Sequence, residues 1–210
     1  MIENPEHRLV PILRHHGIDH VATLPCDKIK GFLSLIPQSF CEIPLTREAD
    51  GLGICAGLAL AGKRPAMVIQ NTGLGNLITD VASLFQVYQI PLPLFVSWRG
   101  IYKEPIDVQK NLGEKTPRLL DSIDIPYTVV ETPDELHLVS SAIENAYRQQ
   151  TLHAILLSPR LWETSSFLPN MEEIRHGRHE NQHPTGFSLS YKREPTIAKL
   201  SRYDAIKTIM

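Results

Sequence analysis

The sequence of 210 residues has few cysteines, no excess of charge of either sign and no long apolar run. Its three cysteines, Cys26, Cys41 and Cys55, cannot all pair within one chain and lack the spacing of a metal site, which predicts reduced thiols in a cytoplasmic protein. The formal net charge of -2 gives no signal for binding nucleic acid. No stretch approaches the roughly 20 apolar residues that a membrane-spanning helix needs, and the first residues contain no unbroken signal-peptide core.

Apolar strands alternate with helices over residues 1–160, which predicts one domain. A long loop is predicted from Trp98 to about Gly113, and loops of this length are often functional. Repeated strand–helix units with continuous apolar strands predict an α/β fold, a parallel sheet of about six strands with helices on both faces. The predicted strands are 21–24, 41–45, 66–69, 92–97, 127–130 and 153–157, and the predicted helices are 5–16, 28–36, 48–61, 74–87, 116–123 and 133–149.

The regular pattern ends after Ser158, and residues 161–210 are predicted to form a linker or tail. The stretch from Glu172 to His183 is charged and lacks periodicity, which is typical of a solvated segment. Its histidines have no supporting pattern of acids or cysteines, so a solvated tail is favoured over a metal site. Residues 203–210 become amphipathic again and are typical of the first helix of a further unit.

Residues with useful chemistry follow the predicted strands. Glu48 stands where the second strand gives way to a helix, and on its own it is interpreted as a carboxylate stabilised by the helix dipole. A glycine-rich turn, Asn71-Thr-Gly-Leu-Gly-Asn76, follows the third strand and matches neither a Walker loop nor a dinucleotide fingerprint. Because ligands bind at the carboxyl ends of strands in open parallel sheets, both features are expected at the same binding edge.

Two further residues are expected at this edge. Arg99 follows the fourth strand, and its planar guanidinium suits an oxyanion or a carboxylate, with a structural ion pair as the alternative. Cys26 ends the first strand between Pro25 and Asp27. No histidine stands at a fixed spacing to activate its thiol, so Cys26 is predicted to line a pocket rather than to act as a nucleophile.

Together these motifs resemble the pyrimidine-binding (PYR) domain of thiamine diphosphate-dependent decarboxylases. The resemblance covers roughly residues 5–160 and is closest to the alpha subunits of sulfopyruvate decarboxylases and to the N-terminal part of phosphonopyruvate decarboxylases. The motifs that carry it are Leu24-Pro-Cys-Asp27, Arg47-Glu48 followed by Gly57, Gln70-Asn-Thr-Gly-Leu-Gly-Asn76, Ser97-Trp-Arg-Gly100 and Ile125-Pro-Tyr127.

The resemblance implies roles for individual residues. Glu48 would be catalytic: it would hydrogen-bond a ring nitrogen of the aminopyrimidine of thiamine diphosphate and help to deprotonate the thiazolium carbon. Cofactor contacts are implied for Glu48, Pro25, Asn71, Thr72, Gly73, Leu74 and Asn76, and substrate contacts are implied for Cys26, Asp27 and Arg99.

The resemblance also implies a partner subunit. The diphosphate-binding (PP) domain of the family holds a metal through a Gly-Asp-Gly motif and a later Asn, and no Gly-Asp-Gly occurs in this sequence. A separate beta subunit with a PP domain would therefore hold Mg²⁺ and the diphosphate, and residues 199–209 resemble the opening helix of such a subunit.

The activity implied is decarboxylation of a small 2-oxo acid by a dimer or higher hetero-oligomer. The expected substrate is 3-sulfopyruvate, which would yield sulfoacetaldehyde and CO₂, and phosphonopyruvate is the alternative. Two other classes stay open: a non-catalytic PYR-like regulatory module and, by fold analogy alone, a Rossmann-like nucleotide binder.

Overall fold

The computed structural model of the protein describes residues 4–167 and 169, which contain a six-stranded sheet. Neighbouring strands are all parallel, in the order β2-β1-β3-β4-β6-β5. The predicted fold class and all six predicted strands are confirmed. The strands are β1 (His20–Thr23), β2 (Cys41–Pro44), β3 (Pro65–Gln70), β4 (Leu92–Ser97), β5 (Tyr127–Val130) and β6 (Leu152–Leu157).

The inner strands are apolar because they are covered on both faces. Every residue of β4 and of β6 is buried, whereas the edge strand β2 is exposed at both ends. Alternation along β3 divides its side chains between two cores. Ala66 and Val68 pack in one core, and Met67 and Ile69 pack in the other.

Helices cover both faces of the sheet. One layer consists of α1 (Pro5–His15), α2 (Lys30–Ser39) and α7 (His137–Gln149), and the other contains α3 (Glu48–Leu60) and α6 (Asp107–Ser122).

The second layer also contains the segment between β3 and β4, which is less regular than predicted. It comprises a 3₁₀ helix (Asn71–Leu77), α4 (Ile78–Asp80), a π-helical turn (Val81–Phe85) and α5 (Gln86–Tyr88), instead of one α-helix over 74–87. Glycine lowers helix propensity, and two glycines stand in the 3₁₀ helix. The π-helical turn places Val81 and Phe85 together in the core, so packing outweighs regular helix geometry here.

The long loop predicted from Trp98 to Gly113 is wrong in its second half, because α6 begins at Asp107. Gly113 lies inside this helix rather than before it. A Cβ on Gly113 would stand 2.5 Å from the carbonyl oxygen of Arg99 and 2.6 Å from the backbone of Gly100. The glycine therefore serves close contact between two backbones, a role that a sequence pattern does not separate from helix breaking.

Parts of the sequence-based picture lie outside the described residues. They include the histidine-rich stretch, the C-terminal amphipathic helix and most of the predicted tail. Within the described part of the chain, no helix is long and apolar enough to cross a membrane. The same residues contain no group of three or more His, Cys, Asp or Glu side chains placed to hold a metal ion.

Candidate functional site at the carboxyl edge of the sheet

The chain reverses its direction across the sheet between β1 and β3. From β1 it continues through α2 to β2 on one side, whereas from β3 it continues through segment 71–88 to β4 on the other side. These two connections also lie on opposite faces of the sheet. Such a switch point opens a crevice at the carboxyl ends of the two strands, where ligands of open α/β sheets bind.

Side chains from three strand ends meet at this crevice. The buried thiol of Cys26, just after β1, donates to Oγ of Ser97 at the end of β4 over 3.2 Å. The same sulfur lies 3.5 Å from Oε1 of Gln70, the last residue of β3. Gln70 in turn donates from Nε2 to Oγ1 of Thr72 over 2.6 Å. The structure therefore places the Cys26 thiol among polar neighbours at this edge, and its role as a pocket-lining residue stays a prediction.

Glu48 is the first residue of α3 and is half-buried. Nδ2 of Asn76 donates to Oε2 of Glu48 over 2.9 Å. The other side of the carboxyl group packs against Gly73, where a Cβ would overlap Oε1. No described residue donates a hydrogen bond to this Oε1, so one carboxylate oxygen is fixed and the other is available to a ligand.

Arg99 forms a buried ion pair with Glu104, five positions further on. Its Nε and Nη2 donate to the two carboxylate oxygens over 2.6 and 2.8 Å, and the two side chains are 8% and 1% exposed. The backbone N–H groups of Gly100 and Ile106 also donate to this carboxylate, over 3.3 and 3.2 Å. The hydrogen bonds from Arg99 lower the pKa of Glu104 to about 2, and the same contact raises the pKa of Arg99.

This pair has a direct bearing on the predicted role of Arg99. The structural ion pair, given above as the alternative, is present, and it occupies one edge of the guanidinium. A contact between Arg99 and a substrate stays a prediction. The positive charge of the guanidinium is already balanced by the carboxylate of Glu104.

Asn71 holds the Arg99 segment in place. Its Oδ1 accepts the backbone N–H of Arg99 over 3.0 Å, and its Nδ2 donates to the carbonyl of Arg99 over 3.0 Å and to Oγ1 of Thr116 over 2.9 Å. The Asn71 side chain is fully buried, and its amide is thus used inside the protein. Its implied contact with a cofactor stays a prediction.

The other predicted residues differ in exposure. Pro25, Asp27 and Thr72 lie at the surface of the edge, and the Asp27 carboxylate is 3.6 Å from the ammonium of Lys30. Leu74 points into the core beneath the turn. Leu74 therefore supports the turn from below, whereas the exposed residues are accessible to a ligand.

A cleft of about 270 Å³ adjoins the Arg99 loop. Glu163 closes one wall by accepting hydrogen bonds from Tyr102 Oη and Lys103 Nζ, both over 2.6 Å. Tyr102 and Lys103 have φ values of 34° and 53°, in the left-handed region that non-glycine residues rarely occupy. The cleft is lined by Lys28, Tyr102, Lys103, Pro159, Trp162 and Glu163.

Sequence reasoning missed Glu104 and Thr116 and gave no role to Gln70, although Gln70 stands in one of the motifs; the contacts of these residues join different parts of the chain. The one local signal for Glu104 was its charge, opposite to that of Arg99 and close to it in a predicted loop. Gln70 and Thr116 carry no charge, and their partners at the site are known only once β3, β4 and α6 are packed together.

The comparisons with known proteins agree with these motifs. The family described as "Thiamine pyrophosphate enzyme, N-terminal TPP binding domain" matches residues 4–124. Sulfopyruvate decarboxylase of Methanosarcina acetivorans is 46% identical over 164 residues, which are 78% of this chain and 42% of that protein. Sulfopyruvate decarboxylase subunit alpha of Methanococcus maripaludis is 39% identical over 150 residues, which are 70% of this chain and 90% of that subunit.

More distant similarities point the same way. Phosphonopyruvate decarboxylase of Streptomyces viridochromogenes is 29% identical over 156 residues, which are 72% of this chain and 39% of that protein. Among solved structures, a 2-oxoglutarate:ferredoxin oxidoreductase from Magnetococcus marinus superposes with a TM-score of 0.59 at 13% identity, covering 77% of this chain and 30% of that one. At so low an identity the structural likeness concerns the fold alone.

Proposed function

The chain belongs to the thiamine pyrophosphate (thiamine diphosphate) enzyme family, as its motifs predicted, and on this premise we propose that it is the alpha, PYR-type component of a 2-oxo acid decarboxylase. It works in the cytoplasm with a separate PP-domain beta subunit and converts 3-sulfopyruvate to sulfoacetaldehyde and CO₂. The alpha subunits named for this reaction, which the chain covers almost from end to end, support the assignment. Phosphonopyruvate is the second candidate substrate, supported by the more distant relatives.

The residues at the crevice fit the pyrimidine half of thiamine diphosphate. Glu48 offers Oε1 to a ring nitrogen, while Asn76 holds Oε2 and thereby the orientation of the carboxyl group. Gly73 lets the Glu48 carboxyl group pack directly against the turn, where any Cβ would collide with it. In this proposal the PP domain of the beta subunit would hold Mg²⁺ and the diphosphate.

The observation that carries the proposal is the position of the Glu48 carboxyl group, with Oε2 held by Asn76. This carboxyl group can hold or release a proton at Oε1, which is the role that a general acid–base residue must perform. Thiamine diphosphate, when bound, supplies the sink for the electrons left by the departing carboxylate. The protein contributes the position of the carboxyl group and the walls of the crevice.

The exposed face of α3 supports a partner. Gly53 and Gly57 face open space, and Ile54 and Leu60 are 40% and 74% exposed. Apolar side chains beside glycines allow a second chain to approach the helix closely.

The test is CO₂ release from sulfopyruvate with thiamine diphosphate and Mg²⁺, by the chain alone and after addition of a beta-type PP subunit. Activity is expected only in the mixture. Glu48→Gln is expected to lower the rate by about 10²- to 10⁴-fold without loss of complex formation, because proton transfer contributes on this scale. Glu144→Gln, an exposed glutamate on α7, is the matched control and should stay within about twofold of the unaltered chain.

Two results would contradict the proposal. Full activity of Glu48→Gln would exclude the catalytic role of this carboxyl group. A complex that forms but releases no CO₂ from either sulfopyruvate or phosphonopyruvate would instead favour the non-catalytic module.

A further inference from the structure

A second cavity lies at the opposite edge of the sheet from Glu48, and its volume is about 320 Å³. Its lining includes the turns just before β3 and β4 and the turn that leads into β6. In a parallel sheet such turns meet at the amino edge. A strand of six residues such as β3 is about 20 Å long, so the cavity is about that far from the carboxyl edge. It is therefore separate from the crevice at Glu48.

The side chains that line this amino-edge cavity carry two positive charges. Lys63 and Arg64 lie in its wall, and none of the described residues that line it is acidic. Within the described chain, no carboxylate forms an ion pair with either side chain. Asp19 lies nearby, but its Oδ1 accepts the backbone N–H of Arg64 over 3.1 Å. The carboxyl ends of α3, α5 and α7 each add at most about half a negative charge, which leaves the cavity positive.

Arg64 is held in place while its terminal nitrogens stay available. Its Nε donates to the carbonyl of His16 over 2.7 Å, and its Cζ lies 3.6 Å from the centre of the Tyr147 ring. Tyr147 is fixed in turn, because its Oη donates to the carbonyl of Pro65 over 3.1 Å.

The two Nη atoms of Arg64 have no hydrogen-bond partner among residues 4–167. Neither belongs to the buried side-chain atoms that lack a partner, so both reach solvent. A planar guanidinium fixed in this way can donate two parallel hydrogen bonds to one oxyanion.

Apolar side chains also line the amino-edge cavity. Leu60 is 74% exposed and Tyr88 is 67% exposed, and both contribute to the wall. An exposed aromatic ring beside cationic groups suits a ligand that has an apolar body as well as a charged head. The volume lies near the lower end of the range for small-molecule sites, which is about 300–1,000 Å³. The ligand that fits is therefore small.

We propose that the amino-edge cavity is a binding site for a small organic anion, whose oxyanion head pairs with Arg64 and Lys63 and whose short apolar body packs against Tyr88 and Leu60. A carboxylate, a sulfonate and a phosphonate share this head chemistry. The inference goes beyond the proposed function and does not depend on it, because the cavity shares no residue with the crevice at Glu48.

The experiment is titration calorimetry of the 210-residue chain at low ionic strength with benzoate, benzenesulfonate and phenylphosphonate. Benzamide, which has the same ring without a charge, is the control ligand. The anions that bind should do so about tenfold or more tightly than benzamide, the scale of a hydrogen bond to a charged group. Added NaCl should weaken them, and their order of affinity identifies the preferred head.

Side-chain variants locate the binding. Arg64→Gln should weaken anion binding by about tenfold or more. Lys63→Gln should weaken it by about two- to fivefold, because an exposed ammonium contributes less. Tyr88→Ala should weaken binding of the ring and, like Lys63→Gln, changes an exposed residue, so both variants test the site even if Arg64→Gln alters the fold. Arg118→Gln, an exposed arginine on α6, is the matched control and should stay within about twofold.

Three results would overturn the proposal. Equal affinity for benzamide and the anions would mean that the two positive charges play no part. Anion affinity unchanged in both Arg64→Gln and Lys63→Gln would place the binding elsewhere on the chain. Absence of binding by all three anions at millimolar concentrations would leave the cavity without this ligand class. None of these tests needs turnover, so an alpha–beta complex that decarboxylates neither 2-oxo acid would refute the proposed function alone.

Discussion

Gly73 is the position where one added methyl group would disturb Glu48 most directly. A Cβ there would overlap Oε1 and lie 2.5 Å from Cγ of Glu48. Since non-bonded atoms settle about 3.5 Å apart, the carboxyl group would have to move by about 1 Å, which would disturb its present hydrogen bond with Asn76. A displacement of about 1 Å can cost about 10²-fold in rate, so we expect Gly73→Ala to lower CO₂ release by about 100-fold.

The assay is the initial rate of the alpha–beta complex at saturating thiamine diphosphate, Mg²⁺ and sulfopyruvate. Gly75→Ala is the matched control, because Gly75 lies in the same turn, is exposed and has nothing within 4 Å of a built Cβ. This control should stay within about twofold of the unaltered chain. Gly73 does not have a left-handed φ, so urea unfolding should show both variants folded. Equal rates for the two variants would refute the link between Gly73 and the reacting carboxyl group.

Two further predictions concern stability. The pKa of Glu104 is about 2 in the folded protein against an ordinary 4.5, so its carboxylate contributes about 3 kcal/mol to the free energy of unfolding. This contribution is present above pH 4.5 and is lost as the pH falls toward 2. The free energy of unfolding measured in urea should fall over this range, and Glu104→Gln should remove that part of the fall. Gly51→Ala should destabilise the chain by about 1–3 kcal/mol, because its Cβ would collide with Leu45 and lie 2.6 Å from Cε of Met67. Gly53→Ala, on the same helix but facing open space, should stabilise the isolated chain by about 0.5–1 kcal/mol, and a common sign for the two variants would contradict this reasoning.

The sequence predicts well those helices and strands whose start, end and type depend on their own residues rather than on distant contacts. The strand Leu92–Ser97 has the predicted bounds because it is apolar throughout and buried on both faces. Glu48 begins a helix as expected, because a first-turn carboxylate suits the helix dipole. The placement of Cys26, Glu48 and Arg99 at one sheet edge follows from the parallel direction of the strands, because each residue comes after a strand end.

The features that were not predicted depend on contacts between distant residues. Gly113 resembles a helix end in the sequence, but it allows the backbones of α6 and of Gly100 to touch. The buried position of Glu104 depends on Arg99 and on two backbone N–H groups. Neither the spacing of apolar residues nor the composition of the loop indicates these contacts. The amide of Asn71 suits a ligand in principle, yet it is used to hold the next strand end.

The position of β6 between β4 and β5 determines when the sheet can be completed. The ribosome makes β5 before β6, and within the described residues β5 pairs with β6 alone, so it lacks this partner until residues 152–157 have emerged. Until then β4 has an open edge along six residues that are buried in the finished domain. An open apolar edge strand is prone to pair with other chains, and nascent chains with such edges aggregate readily. Of the strands that the structure describes, the one synthesised last thus closes the sheet at its interior, and a chain that ends before it exposes an edge prone to aggregation.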